Sequence, residues 1–282
     1  MAKNTKRNWT EEIANRFISE LENGTVPWFK PWDMWKSWSR GTGNDYQGVN
    51  QLMLTGGEFV TFNQIKDAGG KLNKGSKGQK VVFYKSYEKK LVDEETGEEF
   101  IQFGKVLKAY TVFNVEDTDL EQKHDKKQPA HKWDANTKAE EIAGAYAEQY
   151  QIKINHGGNQ AYNRDALGAF GGIVQLPRKE QFSEPAEYYS TLFHELTHST
   201  ARHVDRDKSK YSSDKKARAR EELVAEIGAA YIMSFLGIES SFSGANSGAY
   251  VRNWAQVLKD DKAAILYATP KAIEAANLIL GI

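Results

Sequence analysis

Cysteine is absent from the 282 residues, and histidine (six), proline (six) and methionine (four) are scarce. The first absence excludes disulfides, thiolate nucleophiles and cysteine zinc sites, leaving histidine and carboxylates as the available metal ligands. No sign of charge is in excess, with 38 basic against 38 acidic residues, so any electrostatic attraction to nucleic acid must be local. No uncharged apolar run reaches membrane-spanning length, and MAKNTKRNWTEEIANRF carries basic residues with no apolar run after them. A cytoplasmic protein without a membrane partner is the expectation. What is present, 40% apolar and 12% aromatic residues, suffices to bury a core, and the length suits two domains.

The composition changes along the chain. Five of the seven tryptophans fall within the first 38 residues, whereas the later part is rich in alanine, leucine and isoleucine at helical spacing. Between them DTDLEQKHDKKQPAHKWDAN is charged and nearly free of aliphatic residues, and reads as a linker. We therefore divide the chain into residues 1–118, a linker at 119–133, and residues 134–282. The first part reads as α+β. Ile13, Phe17, Ile18 and Leu21 mark a helix that Thr10 can cap and Gly24 can end. A short helix is expected around VNQLML and another ending at Gly69 and Gly70. VVFYKSY then reads as β-rich and EFIQFGKVLKAYTVFNVED as a further strand pair or a strand after a bulged edge, with DEETGEE as a hairpin tip. The second part is mainly helical. TKAEEIAGAYAEQY reads as a helix, QIKINH as a strand, and a further strand ends at Pro177. Helices are then expected at 184–202, 218–236, 247–259 and 270–280.

Within the second part, TLFHELTHST contains the pattern H-E-x-x-H at His194, Glu195 and His198. Ser183 stands where a cap would, Pro185 suits a first turn, and Tyr189, Leu192, Phe193 and Leu196 form an apolar face, so the motif is expected on a helix. There, His194 and His198 share one side and can converge on one cation, while Glu195 can reach a water beside it without being a ligand. Two histidines are too few for a catalytic zinc, which takes three protein ligands. AREELVAEIGAAYIMSFLG is the best source of the third, with Glu222 assigned as ligand and Glu226 as acceptor for a ligating histidine. The reverse assignment is the alternative, and His203 is a weaker one. The expected cofactor is one Zn2+ ion, with Mn2+ as the alternative. A purely structural reading, polar histidines on the surface of an amphipathic helix, competes with it.

The first part holds the local charge that the whole-chain balance conceals. Between Lys66 and Lys90 there are eight lysines against Asp67 and Glu88. Lys71, Lys74, Lys77 and Lys80 lie among glycines whose backbone amides could approach phosphates. Trp28, Trp32 and Tyr46 offer flat rings onto which unpaired bases could stack. This combination reads as single-stranded DNA binding, although for any one tryptophan core packing is the stronger reading.

Several motifs together are similar to a known family. AEYYSTLFHELTHST, AREELVAEIGAAYI and YVRNWAQVLKDDKAAI resemble the metallopeptidase domain of ArdC-type antirestriction proteins. ELENGTVPWFKPW, YQGVNQLML, FVTFNQIKDAGGKLNKGSKGQKVVFYK and YTVFNV resemble the same family's N-terminal single-stranded DNA-binding domain. The resemblance implies a small α+β DNA-binding domain followed by a mainly helical zincin-like metallopeptidase domain, serving to protect incoming plasmid DNA from host restriction. It implies zinc-ligand roles for His194 and His198, a base role for Glu195 and the third ligand on the EELVAE helix. The partners would be single-stranded DNA and an unidentified protein or peptide substrate. A DNA-coating protein in which the metal is structural is the alternative.

Overall fold

Asn8 opens the first helix, α1 (Trp9–Glu22), by accepting a hydrogen bond from the backbone N–H of Glu11. The cap is therefore Asn8 rather than Thr10, two residues earlier than expected. In the computed structural model the residues described are 8–23, 26–28, 37–92, 99–124, 135–158, 160–165, 171–182, 184–238 and 244–282. Gly24, Trp32, Ser183 and most of DEETGEE lie outside them, as do residues 125–133 of the expected linker.

The first part is α+β as expected. After α1 come β1 (Ser37–Ser39), α2 (Val49–Met53), β2 (Gly57–Thr61) and α3 (Phe62–Asp67). Two long strands follow, β3 (Gln79–Val92) and β4 (Glu99–Asn114). Helix α3 starts on a capping box between Thr61 and Gln64 and ends with Gly69 in the left-handed region at φ 72°, a conformation that glycine adopts at little cost. The sheet order is β1-β2-β4-β3, with β1 parallel to β2 and the other pairs antiparallel. Only the root of the β3–β4 pair is buried; beyond Val82 the two strands run out as a ribbon paired from Gln79↔Val112 to Val92↔Glu99.

The second part holds α4 (Ala135–Gln149), β5 (Ile152–His156), β6 (Tyr162–Asp165) and β7 (Gly172–Leu176). Helices α5 (Pro185–Ser199), α6 (Lys215–Leu236), α7 (Gly244–Asp260) and α8 (Ala264–Leu280) complete it. The sheet order is β5-β7-β6, parallel for β5 with β7 and antiparallel for β6 with β7. Strand β6, sequence YNRD, was not expected, because an edge strand of polar residues carries no apolar alternation to mark it. Helix α8 starts six residues before Pro270, the position at which the pattern placed its first turn. Ala264, Ile265 and Ala268 on that extra length are fully buried. Their burial offsets an interior proline, which costs about 3 kcal/mol or more.

The two parts share a core. Ile13, Phe17, Leu21, Trp28 and Leu52 from the first pack with Leu223, Ile227, Trp254, Leu258 and Ile265 from the second. Helix α6 is central: Val224 and Ile227 face this shared core, while Ile232, Met233 and Leu236 enter a second core under α4, α5 and β7. Among the described residues no helix is long and apolar enough to cross a membrane.

Candidate metal centre

Helix α5 begins on Glu184 with Pro185 in its first turn and buries Tyr189, Leu192, Phe193 and Leu196. That face fixes its rotation, so His194 and His198 stand one turn apart at the border of the core, ring centroids 4.9 Å apart. Asp214 caps α6 by accepting from the N–H groups of Lys216 and Ala217, and Gly237 ends it in the left-handed region. The two helices cross closely at Gly228, where a Cβ would stand 2.7 Å from Thr197 Cγ2. Only glycine fits there, and the close crossing brings the glutamates of α6 against the histidines of α5.

Glu222 Oε2 lies 3.4 Å from His194 Nε2 and 3.6 Å from His198 Nε2. The ligand atoms of His194, His198 and Glu222 all lie within 4.8 Å of one another. Two imidazoles and one carboxylate converging in this way are a donor set for a catalytic divalent cation. Each histidine also has a carboxylate at its other nitrogen. Glu226 Oε1 is 3.6 Å from His194 Nδ1, and Glu221 Oε1 is 3.0 Å from His198 Nδ1. Glu221, at hydrogen-bond distance, can hold the proton on His198 Nδ1 and leave its Nε2 lone pair for a cation. The three glutamates of the EELVAE segment thus divide into one converging carboxylate, one bonded to the His198 ring and one standing beside the His194 ring. His203 turns away from the cluster and packs on Tyr150 at 4.5 Å between ring centroids.

Glu221 is the residue that sequence reasoning missed, together with its buried partner Arg206. The guanidinium donates to both Glu221 oxygens at 3.0 and 3.1 Å, to the Thr197 carbonyl at 2.7 Å and to Thr200 Oγ1 at 2.7 Å. No local spacing announces this pairing, because Arg206 lies in the turn after α5, where Asp205 takes a left-handed φ of 48°. Tyr211, in the same connection, donates its hydroxyl to Glu222 Oε1. It thereby occupies the carboxylate oxygen that does not face the histidines.

The charges of the cluster are mutually arranged. Burial opposes charge on His198, but bonds to Glu221 and Glu222 outweigh it and push the imidazole up to about 9. Burial likewise opposes ionisation of Glu222, yet the two histidines hold it well below the usual carboxylate range. For Glu195, 8% exposed, burial dominates and raises the carboxyl despite the neighbouring histidines and the Asn163 backbone N–H. A carboxylate with a raised affinity for protons, beside the converging side chains but not among them, is suited to proton transfer.

The residues proposed for DNA contact are placed less uniformly. Trp28 is 1% exposed and meets Trp254 edge to face at 6.0 Å in the shared core, so no base can stack on it. Tyr46 is buried between Phe59 and Phe83, which likewise corrects its assignment as a stacking platform. Trp32 lies outside the described residues. Lys71, Lys74, Lys77 and Lys80 are exposed. The Lys71 N–H is taken by Asp119, the N–H groups of Gly69 and Gly70 close the end of α3, and the Lys80 ammonium meets Thr111 and the Trp9 ring. These amides are already satisfied and do not form a phosphate cradle.

Comparison with known proteins assigns both parts. Residues 7–113 match the N-terminal domain of anti-restriction factor ArdC, and residues 141–271 match the zincin-like metallopeptidase family. A crystal structure of the metal-free antirestriction protein ArdC from plasmid R388 is 33% identical, covers 97% of both chains and superposes with a TM-score of 0.68. The chain belongs to the ArdC family of antirestriction proteins. A second R388 ArdC structure, with Mn(II) bound, is 31% identical at the same TM-score. An Escherichia coli DNA primase TraC is 31% identical over 98% of this chain, which spans only 27% of that relative's length. An uncharacterised Sinorhizobium fredii protein, y4eC, is 28% identical, with 90% of its length covered. The ArdC family relationship agrees with the α+β architecture and with a metal-binding zincin-like domain.

Proposed function

We propose that this ArdC-family chain protects incoming DNA by binding single strands through residues 1–118, and that residues 134–282, beyond a linker at 119–133, act as a zinc-dependent peptidase. The observation that carries the peptidase reading is the convergence of His194 Nε2, His198 Nε2 and Glu222 Oε2, with Glu195 beside them. These three atoms would hold one divalent cation, zinc by the chemistry of the donor set, with manganese as the competing ion because an R388 ArdC structure holds it. A cation there supplies positive charge that acidifies water and polarises a carbonyl. Glu195 accepts the proton of the attacking water and returns it to the departing amine nitrogen. Edge strand β6 packs on α5, and its Asn163 N–H reaches Glu195, so a peptide added to that edge would pass the carboxylate in extended form.

Glu195→Gln should keep about one equivalent of metal while hydrolysis of an unfolded protein substrate falls roughly a hundred- to ten-thousand-fold. Metal analysis and a gel-based cleavage assay check this, and a Glu195→Gln protein cleaving at the wild-type rate ends the peptidase reading. The competing reading, a DNA-coating protein with a structural metal, draws on the exposed lysines between α3 and the start of β3. It expects Glu195→Gln to protect a conjugating plasmid as well as wild type does, and charge reversal of Lys71, Lys74, Lys77 and Lys80 to abolish protection.

A further inference from the structure

Trp28 and Tyr46, two of the rings that the sequence pattern offered to DNA, are buried, whereas the ribbon of β3 and β4 exposes others. Directly paired residues share one face of a two-stranded ribbon. On one face stand Phe83, Tyr87, Phe100 and Tyr110, each between 45 and 48% exposed. The row is anchored at its root, since Phe83 packs on buried Tyr46 at 6.3 Å and on Tyr110 at 6.0 Å between centroids. Farther out Tyr87 lies over Gly104, whose absent side chain makes room for it; a Cβ there would stand 2.5 Å from the ring. Tyr87 therefore presents its outer surface rather than packing against a partner side chain.

Charge distinguishes the same face. Lys85, Lys89 and Lys108 belong to it, all exposed, and no carboxylate does from Val81↔Tyr110 to Leu91↔Phe100. The opposite face carries Glu88 and Glu99 among its lysines, turns Lys80 toward Trp9, and roots Val82, Leu107 and Ala109 in the shared core. From Phe83 to Leu91 the aromatic and basic row runs roughly 27 Å. That is long enough for several nucleotides of a single strand, within the sizes such sites take, about 4 to 16 nucleotides.

We propose that this face of the β3–β4 ribbon is the stacking platform for single-stranded nucleic acid, with bases on Phe83, Tyr87 and Phe100 and phosphates on Lys85, Lys89 and Lys108. The placement rests on the single-strand reading above and names a surface different from the Lys71–Lys80 loop. Stacking on rings tolerates sequence, whereas a base-paired duplex presents no free base faces along its length.

The test is binding of a fluorescent oligothymidylate of about 15 nucleotides to the full chain, by anisotropy across a salt series. The double substitution Tyr87→Ala and Phe100→Ala should weaken binding at least roughly 25-fold, since each lost ring removes about 5- to 150-fold. Changing Lys85, Lys89 and Lys108 together to glutamine should lower the slope of log affinity against log salt by about two. Phe103→Ala with Lys105→Gln, on the opposite face, should stay within about threefold of wild type. All these side chains are exposed, and an unchanged thermal midpoint checks the fold. If wild type binds the oligonucleotide and the Tyr87/Phe100 variant binds equally well, the placement is wrong while the single-strand reading stands. A larger loss on the opposite face, or equal competition by duplex, also overturns the placement. If wild type binds no single strand, the reading and the placement fall together.

Discussion

The metal centre and the β3–β4 ribbon are built on opposite terms. In the metal centre the histidines and the glutamates of α6 are tied to one another and to buried partners. Arg206 is wholly buried on Glu221, Glu221 holds His198, and Tyr211 holds Glu222. Such a cluster is preorganised, and the loss of one member leaves a buried charge unmatched. The ribbon exposes rings and lysines with little packed against them beyond its root. Its side chains can be changed one at a time at little cost to the fold. A rigid site suits the placing of a proton and a cation, and an open ribbon suits a long, variable polymer.

The sharpest way to break that contrast is to remove a converging carboxylate. Glu222→Ala should lower metal affinity more than about a hundredfold, as loss of a ligand exceeds the effect of its supporting partners. Chelator competition reads this, and oligonucleotide binding should be unchanged; a joint loss of both would mean that the two regions are not separable. The next largest effect falls on stability. Arg206→Met leaves Glu221 buried without its guanidinium and should cost about 3–5 kcal/mol, read from a denaturant midpoint. A loss below about 1 kcal/mol would place Glu221 in effective contact with water.

A smaller effect is expected at the helix crossing. Gly228→Ala drives a methyl into Thr197 and should cost about 1–3 kcal/mol. Thr197→Ser, which removes the methyl at 2.7 Å, should restore part of that loss in the double variant. No restoration would show that the strain lies elsewhere in the α5–α6 contact. The smallest effect is expected in the sheet of the first part, where Glu58 is 1% exposed. Burial raises its carboxyl, but the N–H groups of Lys123 and His124 and the Arg40 guanidinium outweigh burial and lower it below its ordinary 4.5. A folded value below the unfolded one means that the contribution is present above pH 4.5 and fades as pH falls through the lowered value. Glu58→Gln should therefore be less stable than wild type at neutral pH and converge with it in acid, as thermal midpoints across pH would show. Parallel curves at all pH values would contradict the assignment.

Periodicity was enough for the helix of His194, Glu195 and His198 and for the α6 helix bearing Glu222 and Glu226; it marked β structure in the ribbon but not that β4 runs as one unbroken strand. Each is a local pattern, in which side chains three or four apart share a helix face and alternate ones share a strand face. The absence of cysteine and the H-E-x-x-H spacing likewise confined the metal chemistry to imidazole and carboxylate. What no local pattern contains is which distant residues meet. Glu221 with Arg206, Tyr211 with Glu222, Gly228 under Thr197 and Trp28 against Trp254 are all products of chain crossing. The same holds for the aromatic face of the ribbon, because only the pairing of β3 with β4 decides that Tyr87 faces Gly104 and shares a side with Phe100. Local geometry follows from covalent connectivity, and burial follows from the packing of surfaces far apart in the chain. That difference is why the converging histidines and glutamate could be picked out from sequence while Trp28, flat and apolar in either role, was placed only by the tertiary structure.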